Sequence, residues 1–356
     1  MPLAAAATAG LTRVWTVEVD LERSARHRAL SARLAALDDA GIAALVGETT
    51  SGFGGSTASV AVDGEPVFVK LVPLTDLERR PEHVGSTANL FRLPPFYQYG
   101  IGSAGFGAWR ELAAHTMTTQ WVLDGAYAGF PLVHHWRVLP RTPEPVDPAE
   151  LERWVTHWEG DDAVRARLEA IGASSAAVVL FMESIPLTVD AWLTERAAAG
   201  DDGAYEFVDR AVREGVAFLE SRGLIHFDAH FRNLLTDGRR IYFADFGLAA
   251  HAGFELDAAE AAFHRRHHDY DRGYTAAHLV RWLVSKLLDV PWPEVTERLR
   301  LHAADPSGLG LPEPALRVLR RHLPVALLVG GFFEDLWHVS KRTPFPAGEL
   351  ARMLRP

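Results

Sequence analysis

The sequence contains no cysteine. That excludes disulfides, thiolate metal sites and a cysteine nucleophile, and it leaves the redox compartment open. Lysine is nearly missing: of 36 Lys and Arg residues, only Lys70, Lys286 and Lys341 are lysine. Arginine therefore meets the ordinary need for positive surface charge, and a lysine inside an apolar strand stands out. Positive charge is in deficit, with a formal net charge of −10. Non-specific nucleic-acid binding requires Lys and Arg to neutralise phosphates, so no nucleic-acid partner is expected. Long hydrophobic runs are lacking as well. The most apolar late run, Pro324 to Phe333, is too short to span a bilayer and ends at Glu334-Asp335, so no membrane partner is expected. Met1 to Gly10 is apolar but short and has no basic flank. It reads poorly as a signal peptide, and a cytoplasmic location is expected. No Gly-x-x-x-x-Gly-Lys-Ser/Thr segment occurs, which removes the P-loop NTPase class.

What is present suits a folded chain. The 356 residues are 48% hydrophobic and 23% charged, enough for a sizeable core. Residues 1–20 show no clear period and read as a loose arm. Leu30, Leu34 and Leu37 recur among charges, as in an amphipathic helix from Leu21 to Leu37. A Gly-rich turn, Ser51 to Thr57, precedes strand-like runs at Ser59 to Val62 and Pro66 to Val72. Residues 73–108 are loop-rich, and connections of that length are often functional. Trp109 to Leu123 is patterned as a helix, residues 147–170 as a helix pair outside the core, and Ala176 to Met182 as a buried strand. Tyr205 to Arg222 is a helix ended by Gly223. Beyond Ala258 helical patterns dominate. The expected class is α+β: an arm and helix over 1–40, a small β-rich part over 41–183, and a larger, mostly helical part over 184–356.

Two acidic signatures lie late in the chain. The first is His226-Phe227-Asp228-Ala229-His230-Phe231-Arg232-Asn233, and the second is Asp245-Phe246-Gly247. Asp and Asn also favour turns, but three such residues around an alternating strand are poorly explained by turn chemistry alone. Lys70 sits in Val67-Phe68-Val69-Lys70-Leu71-Val72. A lysine snorkelling from a strand edge is the plain reading; its rarity in this chain favours a point charge facing a cleft.

The stretch Leu224 to Leu248 resembles the kinase-like superfamily, above all its aminoglycoside and choline phosphotransferase branch and its protein-kinase relatives. The resemblance implies a two-lobed protein-kinase-like fold, a small β-rich N-lobe binding nucleotide and a larger C-lobe carrying catalysis and the acceptor. It implies phosphoryl transfer from ATP (or GTP) with Mg²⁺ to a hydroxyl of a small molecule, an aminoglycoside-like antibiotic or a metabolite. On this resemblance Asp228 is the base that orients the hydroxyl, Asn233 and Asp245 hold the metal, and His226 braces the two loops. Lys70 contacts the phosphates and pairs with a helix glutamate, for which Glu111 is the choice; Glu78 and Glu82 lie closer in sequence but flank Pro81. Gly52, Gly54 and Gly55 form a partial match to the phosphate-covering turn, with a plain hairpin turn equally open. Asp271 matches the acid that supports the catalytic loop from below, although N-capping explains an acid there as well.

The chain departs from protein kinases in places. Phe227 stands where regulated kinases carry Arg, His230 stands where they carry Lys, and no Ala-Pro-Glu segment follows Gly247. These differences favour a small acceptor over a protein. His230 is expected to donate to the terminal phosphate or to pack. An atypical Ser/Thr protein kinase and a non-catalytic nucleotide-binding scaffold are the rivals; presence of the Lys, Asp, Asn and Asp together favours an enzyme. Glu255, Asp257 and Glu260 read either as an acidic rim for a polycationic acceptor or as helix-start acids. His264, His267 and His268 read as a solvated polar face rather than a metal site. Phe96 to Tyr99 reads as loop packing rather than as an acceptor wall.

Overall fold

The computed structural model describes residues 20–47, 49–52 and 55–355. Of the arm expected over residues 1–20, all but Asp20 lies outside the described residues. Asp20 caps α1 (Leu21–Ala35), accepting from the Arg23 N–H at 2.9 Å. Helix α2 (Asp39–Val46) follows. The antiparallel sheet comprises β1 (Thr50–Gly52), β2 (Gly55–Val62), β3 (Glu65–Leu74), β4 (Val133–Pro140) and β5 (Ala176–Glu183), in the order β1-β2-β3-β5-β4.

Strand alternation decides where Lys70 goes. Side chains two apart share a face. Val67 and Val69 pack with Leu30, Leu34 and Ile42 of α1 and α2. Phe68, Val72 and Leu74 face the other way, onto Ala108, Trp109 and Leu112 of α3 (Ala108–Leu123). Lys70 shares that second face, in register with Thr57 on β2 and Leu180 on β5. A buried guanidinium ties α1 to the sheet: Arg23 binds Glu183 at the end of β5 and the carbonyls of Ala128 and Phe130.

Helices α4 (Pro148–His157) and α5 (Asp162–Ala173) are not outside the core as the sequence suggested. Val155, Trp158, Val164 and Leu168 enclose Leu93, Tyr97 and Phe106, so the hairpin builds a core of its own with the long connection after β3. Its apolar residues were readable; their partners, some sixty residues earlier, were not.

After β5 the chain is mostly helical. A short pair of residues, β6 (Leu187–Thr188), leads into α6 (Val189–Ala198) and α7 (Gly203–Ser221). Gly223, at φ +72°, turns the chain at the end of α7, as its glycine implied. Then come β7 (Leu224–Ile225), β8 (Leu234–Thr236), β9 (Ile241–Phe243) and β10 (Ala250–His251). Strand β6 pairs with β8, β8 with β9, and β10 with β7, which folds the two acidic signatures back on one another. Helices α8 (Ala258–Arg266), α9 (Tyr270–Leu287), α10 (Val295–Leu301), α11 (Glu313–His338) and α12 (Ala347–Met353) complete the chain. Helices α7, α9 and α11 form the centre of the largest core, with Val212, Val280 and Val329 all buried. Among the described residues no helix is long and apolar enough to cross a membrane.

One buried carboxylate fastens α7 to α11. Asp209 accepts from His322 Nε2 at 2.6 Å and Arg213 Nε at 3.1 Å, and it pairs with Arg321. Burial alone would raise its pKa, but His322 and Arg213 hold it well below the ordinary 3.8. A depressed carboxylate stabilises the fold above its unfolded value and loses that contribution as the pH falls towards its folded one. Asp209→Asn is therefore expected to lose about 1–3 kcal/mol at pH 7, the value of hydrogen bonds to a charged group. Denaturant titrations should show less acid sensitivity in the variant below pH 4 than in the parent; equal acid curves would remove Asp209 from this role.

Candidate active site

Lys70 is the centre of the site. Its Nζ lies 2.7 Å from Glu111 Oε1 on α3 and 2.7 Å from Asp245 Oδ1 on the loop after β9. Three segments distant in sequence thus meet at one ammonium. Burial would lower the Lys70 pKa, but the Asp245 and Glu111 carboxylates raise it well above the ordinary value. Asp245 responds in the opposite direction: burial would raise it, and Lys70 holds it well below the ordinary range. Glu111 is pushed up, because burial outweighs the attraction of Lys70.

Asp228 and Asn233 lie on the loop between β7 and β8. Asn233 Nδ2 donates to the Asp228 carbonyl at 3.0 Å and to Asp228 Oδ2 at 3.1 Å. The other carboxylate oxygen, Asp228 Oδ1, is buried without a hydrogen-bond partner. Burial, together with the nearby Asp245 charge, raises the Asp228 pKa well above its ordinary value. His230 lies beside it, Nε2 3.8 Å from Asp228 Oδ2, while its Nδ1 accepts from the Asn233 N–H at 3.2 Å.

The loops are held under strain. Phe227 and Asp245 have φ of +64° and +61°, a left-handed conformation that side chains disfavour and that persists only when surroundings enforce it. Asp271 enforces it at Phe227. Its carboxylate accepts from the N–H groups of His226 at 2.6 Å and Phe227 at 3.0 Å, from the first turn of α9. It does not cap that helix. Burial pushes its pKa up to about 7. His226, fully buried, joins the two signatures: Nε2 donates to the Ala244 carbonyl at 2.9 Å and Nδ1 accepts from the Asp228 N–H at 3.3 Å. Burial lowers its pKa to about 4, so the ring is neutral. Phe246 packs between His226 and His115 of α3, each ring centroid 5.0 Å away.

Lys70, Glu111, Asp228, His230, Asn233 and Asp245 line a cleft of about 300 Å³, together with a glycine-rich loop. Residues Gly100-Ile101-Gly102-Ser103-Ala104-Gly105-Phe106-Gly107 run across it. The Gly-x-Gly-x-x-Gly spacing lies within the stretch that the sequence marks only as loop-rich. Its glycines are needed for close approach. A Cβ on Gly100 would lie 2.2 Å from Asp228 Oδ1, and one on Gly105, at φ +72°, would lie 2.4 Å from the Gly247 carbonyl oxygen. The α4–α5 hairpin pins the loop from outside: His157 Nε2 binds the Ile101 carbonyl, Trp158 Nε1 that of Gly102, and Arg167 Nε that of Gly105. Glu78 supports the same region. It is paired with Arg167 at 2.9 Å and accepts from the Ala108 N–H that opens α3. It therefore anchors α3 and does not reach Lys70.

Of the expected site residues, Lys70, Glu111, Asp228, His230, Asn233 and Asp245 share the cleft. Gly52 and Gly55 pair across the β1–β2 hairpin, and Gly54 lies outside the described residues. The lining glycines are instead Gly100, Gly102, Gly105, Gly107 and Gly247. Of the two readings of the late acids, the helix-start one holds for Asp257 and Glu260. Glu255 accepts from Ser86 and Thr87, Asp257 and Glu260 form a capping box on α8, and Glu260 is buried against Arg110 at 2.8 Å. The solvated histidine face is corrected. Helix α8 ends at Arg266; His267 is buried, stacked on Phe263 and bound to Tyr99 Oη at 2.7 Å. His268 alone is exposed, beside Glu220. Tyr97 and Tyr99 are buried, as loop packing requires.

No protein-family model matches the chain, and no curated protein matches it.

The crossing loop makes its own prediction. Gly105→Ala is expected to cost more than Gly64→Ala, because both have positive φ but a Cβ at Gly64 meets nothing within 4 Å. The left-handed conformation alone costs about 1–2 kcal/mol, so Gly64→Ala should lose that much and Gly105→Ala clearly more. Equal melting temperatures for the two variants would mean that the loop does not lie against Gly247.

Proposed function

We propose that the chain is a kinase-like, two-lobed phosphotransferase that moves the γ-phosphoryl group of ATP (or GTP) to a hydroxyl of a small molecule, with Mg²⁺. The observation that carries this reading is the Lys70 ammonium held between Glu111 and Asp245, each at 2.7 Å, on the same cleft as Asp228 and Asn233. A structural ion pair needs no such company. A triphosphate site needs a fixed cation, oxygen ligands for metal and a carboxylate near the nucleophile.

The donor set fits magnesium. Asn233 gives both recorded amide hydrogen bonds to Asp228, and among the described residues nothing donates to its Oδ1. Asp245 accepts through Oδ1 from Lys70 and from the Gly247 N–H at 3.3 Å, while its Oδ2 has no protein donor among those residues. Two uncommitted oxygens suit a hard cation that keeps several waters. Bound Mg²⁺ would neutralise phosphate charge as the transferring group loosens from its leaving oxygen.

The chain's own residues do the rest. Lys70 supplies a point charge for the phosphates, and Glu111 keeps it on the cleft side of β3. Asp228 takes the proton of the acceptor hydroxyl as that oxygen bonds to the γ-phosphorus and the bond to the β-bridging oxygen breaks, leaving a nucleoside diphosphate. Asp228 Oδ1, which has no hydrogen-bond partner among the described residues, is the oxygen placed to accept that proton. Asp271 and His226 hold the loop that aims it.

Mg-ATP is expected to raise the melting temperature of the parent, and Asp245→Ala to abolish that shift; a parent without a shift would contradict nucleotide binding. Asp228→Asn is expected to keep the shift and to lose turnover by at least about 100-fold, the usual worth of a general base. Unchanged Mg-ATP consumption in Asp228→Asn would remove that residue from the chemistry, and binding without turnover in the parent would favour the scaffold.

A further inference from the structure

A second cavity of about 500 Å³ lies on the helical side of the crossing loop. It is within the size range of small-molecule sites. Gly100 lines both this cavity and the polar cleft, so the two adjoin at that residue. At that residue the missing side chain matters, since a Cβ would overlap the unpartnered Asp228 Oδ1. The catalytic loop touches the cavity elsewhere too. His278 on α9, a lining residue, accepts from the Phe231 N–H through Nε2 at 3.3 Å, and its ring lies 6.2 Å from that of His230.

The walls are aromatic. Tyr274 lies 5.6 Å from Phe333, and His278 lies 5.1 Å from Trp292, between centroids. Three described tryptophans are notably exposed, Trp136, Trp292 and Trp337, and the last two stand on this cavity. Exposed large apolar side chains gathered around a concavity mark a ligand site more often than a bare surface does. The polar groups are few. Arg281 lies over the Trp292 ring, 4.6 Å from its centroid, and its buried Nε has no hydrogen-bond partner. Glu334 is paired with Arg300, so the cavity offers no uncompensated acid to a polycation. Of the acids after Gly247, Asp257 and Glu260 cap α8, Glu260 also pairs with Arg110, and Glu255 is engaged by Ser86 and Thr87.

We propose that this aromatic cavity is the acceptor pocket, and that it takes a flat, largely apolar molecule with its hydroxyl directed past Gly100 to Asp228 and an oxygen acceptor opposite Arg281. The proposal rests on the phosphotransfer reading and narrows it, from any hydroxylated small molecule to an aromatic or polycyclic alcohol. The acceptor oxygen forms the new bond to phosphorus, its proton passes to Asp228, and the nucleoside triphosphate, the phosphoryl donor, departs as the diphosphate.

Calorimetric titration of the nucleotide-free full chain with 2-naphthol, 7-hydroxycoumarin and estradiol, with kanamycin as the polycationic control, tests it. At least one aromatic alcohol is expected to bind, kanamycin is not, and Trp337→Ala and Phe333→Ala are expected to weaken binding at least tenfold. Trp337 is 54% exposed, so its loss should leave folding intact. With labelled ATP, the bound alcohol should become phosphorylated, and Gly100→Val, whose side chain would fill the passage to Asp228, should block that transfer. Absence of binding by every alcohol, binding indifferent to both pocket variants, or phosphate delivered to kanamycin instead would overturn the proposal. Because the titration needs no nucleotide, a failed Mg-ATP melting shift identifies a failure of the phosphotransfer reading separately.

Discussion

A single buried ammonium organises this protein. Lys70 receives one carboxylate from α3 and one from the loop after β9, so that β3, α3 and that loop meet at one point. Desolvating Lys70 and Glu111 is costly, whereas Asp245 stays about half exposed; removing a partner leaves the remaining charges uncompensated. Such a cluster is a poor way to gain stability and a good way to fix three segments in register. The rest follows from it. The sheet must present its α3 face to the cleft, α3 must start close by, and the 245 loop must adopt the strained conformation that brings its carboxylate to the lysine.

Supporting interactions fall into two groups on either side of that point. From the helical side, Asp271 holds two N–H groups of the 226–228 segment and His226 ties that segment to Ala244, so the two acidic loops behave as one unit. From the other side, the Glu78–Arg167 pair and the α4–α5 hairpin fix the glycine-rich loop across the cleft mouth. The geometry of the cleft is thus set by Arg167 in its lining and by Asp271 and His226, which hold the 226–228 segment.

Much of this was legible in the sequence because it was local. The α+β division follows from alternation before residue 183 and helical periodicity after it. Lys70 stood out because its strand was apolar and lysine is scarce. Glu111 was chosen because it occupies the only well-patterned helix in reach, while Glu78, nearer in sequence, turned out to be engaged by Arg167. What escaped was long-range. Nothing in the pattern of residues 147–170 says that their apolar face covers Tyr97 and Phe106. The spacing Gly100-x-Gly102-x-x-Gly105 carries a signal, but it lies after β3 and not in the turn before β2, where the resemblance places a phosphate-covering turn. His267 looked solvated because charges flank it in sequence; the helix ends one residue earlier and the ring turns inward. For the acids after Gly247 the sequence leaves rim and helix start both open, because it shows charge without showing its partner.

The most direct measurement is anomalous diffraction from crystals grown with Mn²⁺ and a non-hydrolysable ATP analogue. The account predicts a manganese peak within coordination distance of Asp245 Oδ2 and Asn233 Oδ1, with phosphate oxygens completing the shell and Lys70 against the phosphates. A nucleotide seated elsewhere, or a cleft without manganese while Lys70 remains locked between Glu111 and Asp245, would contradict it.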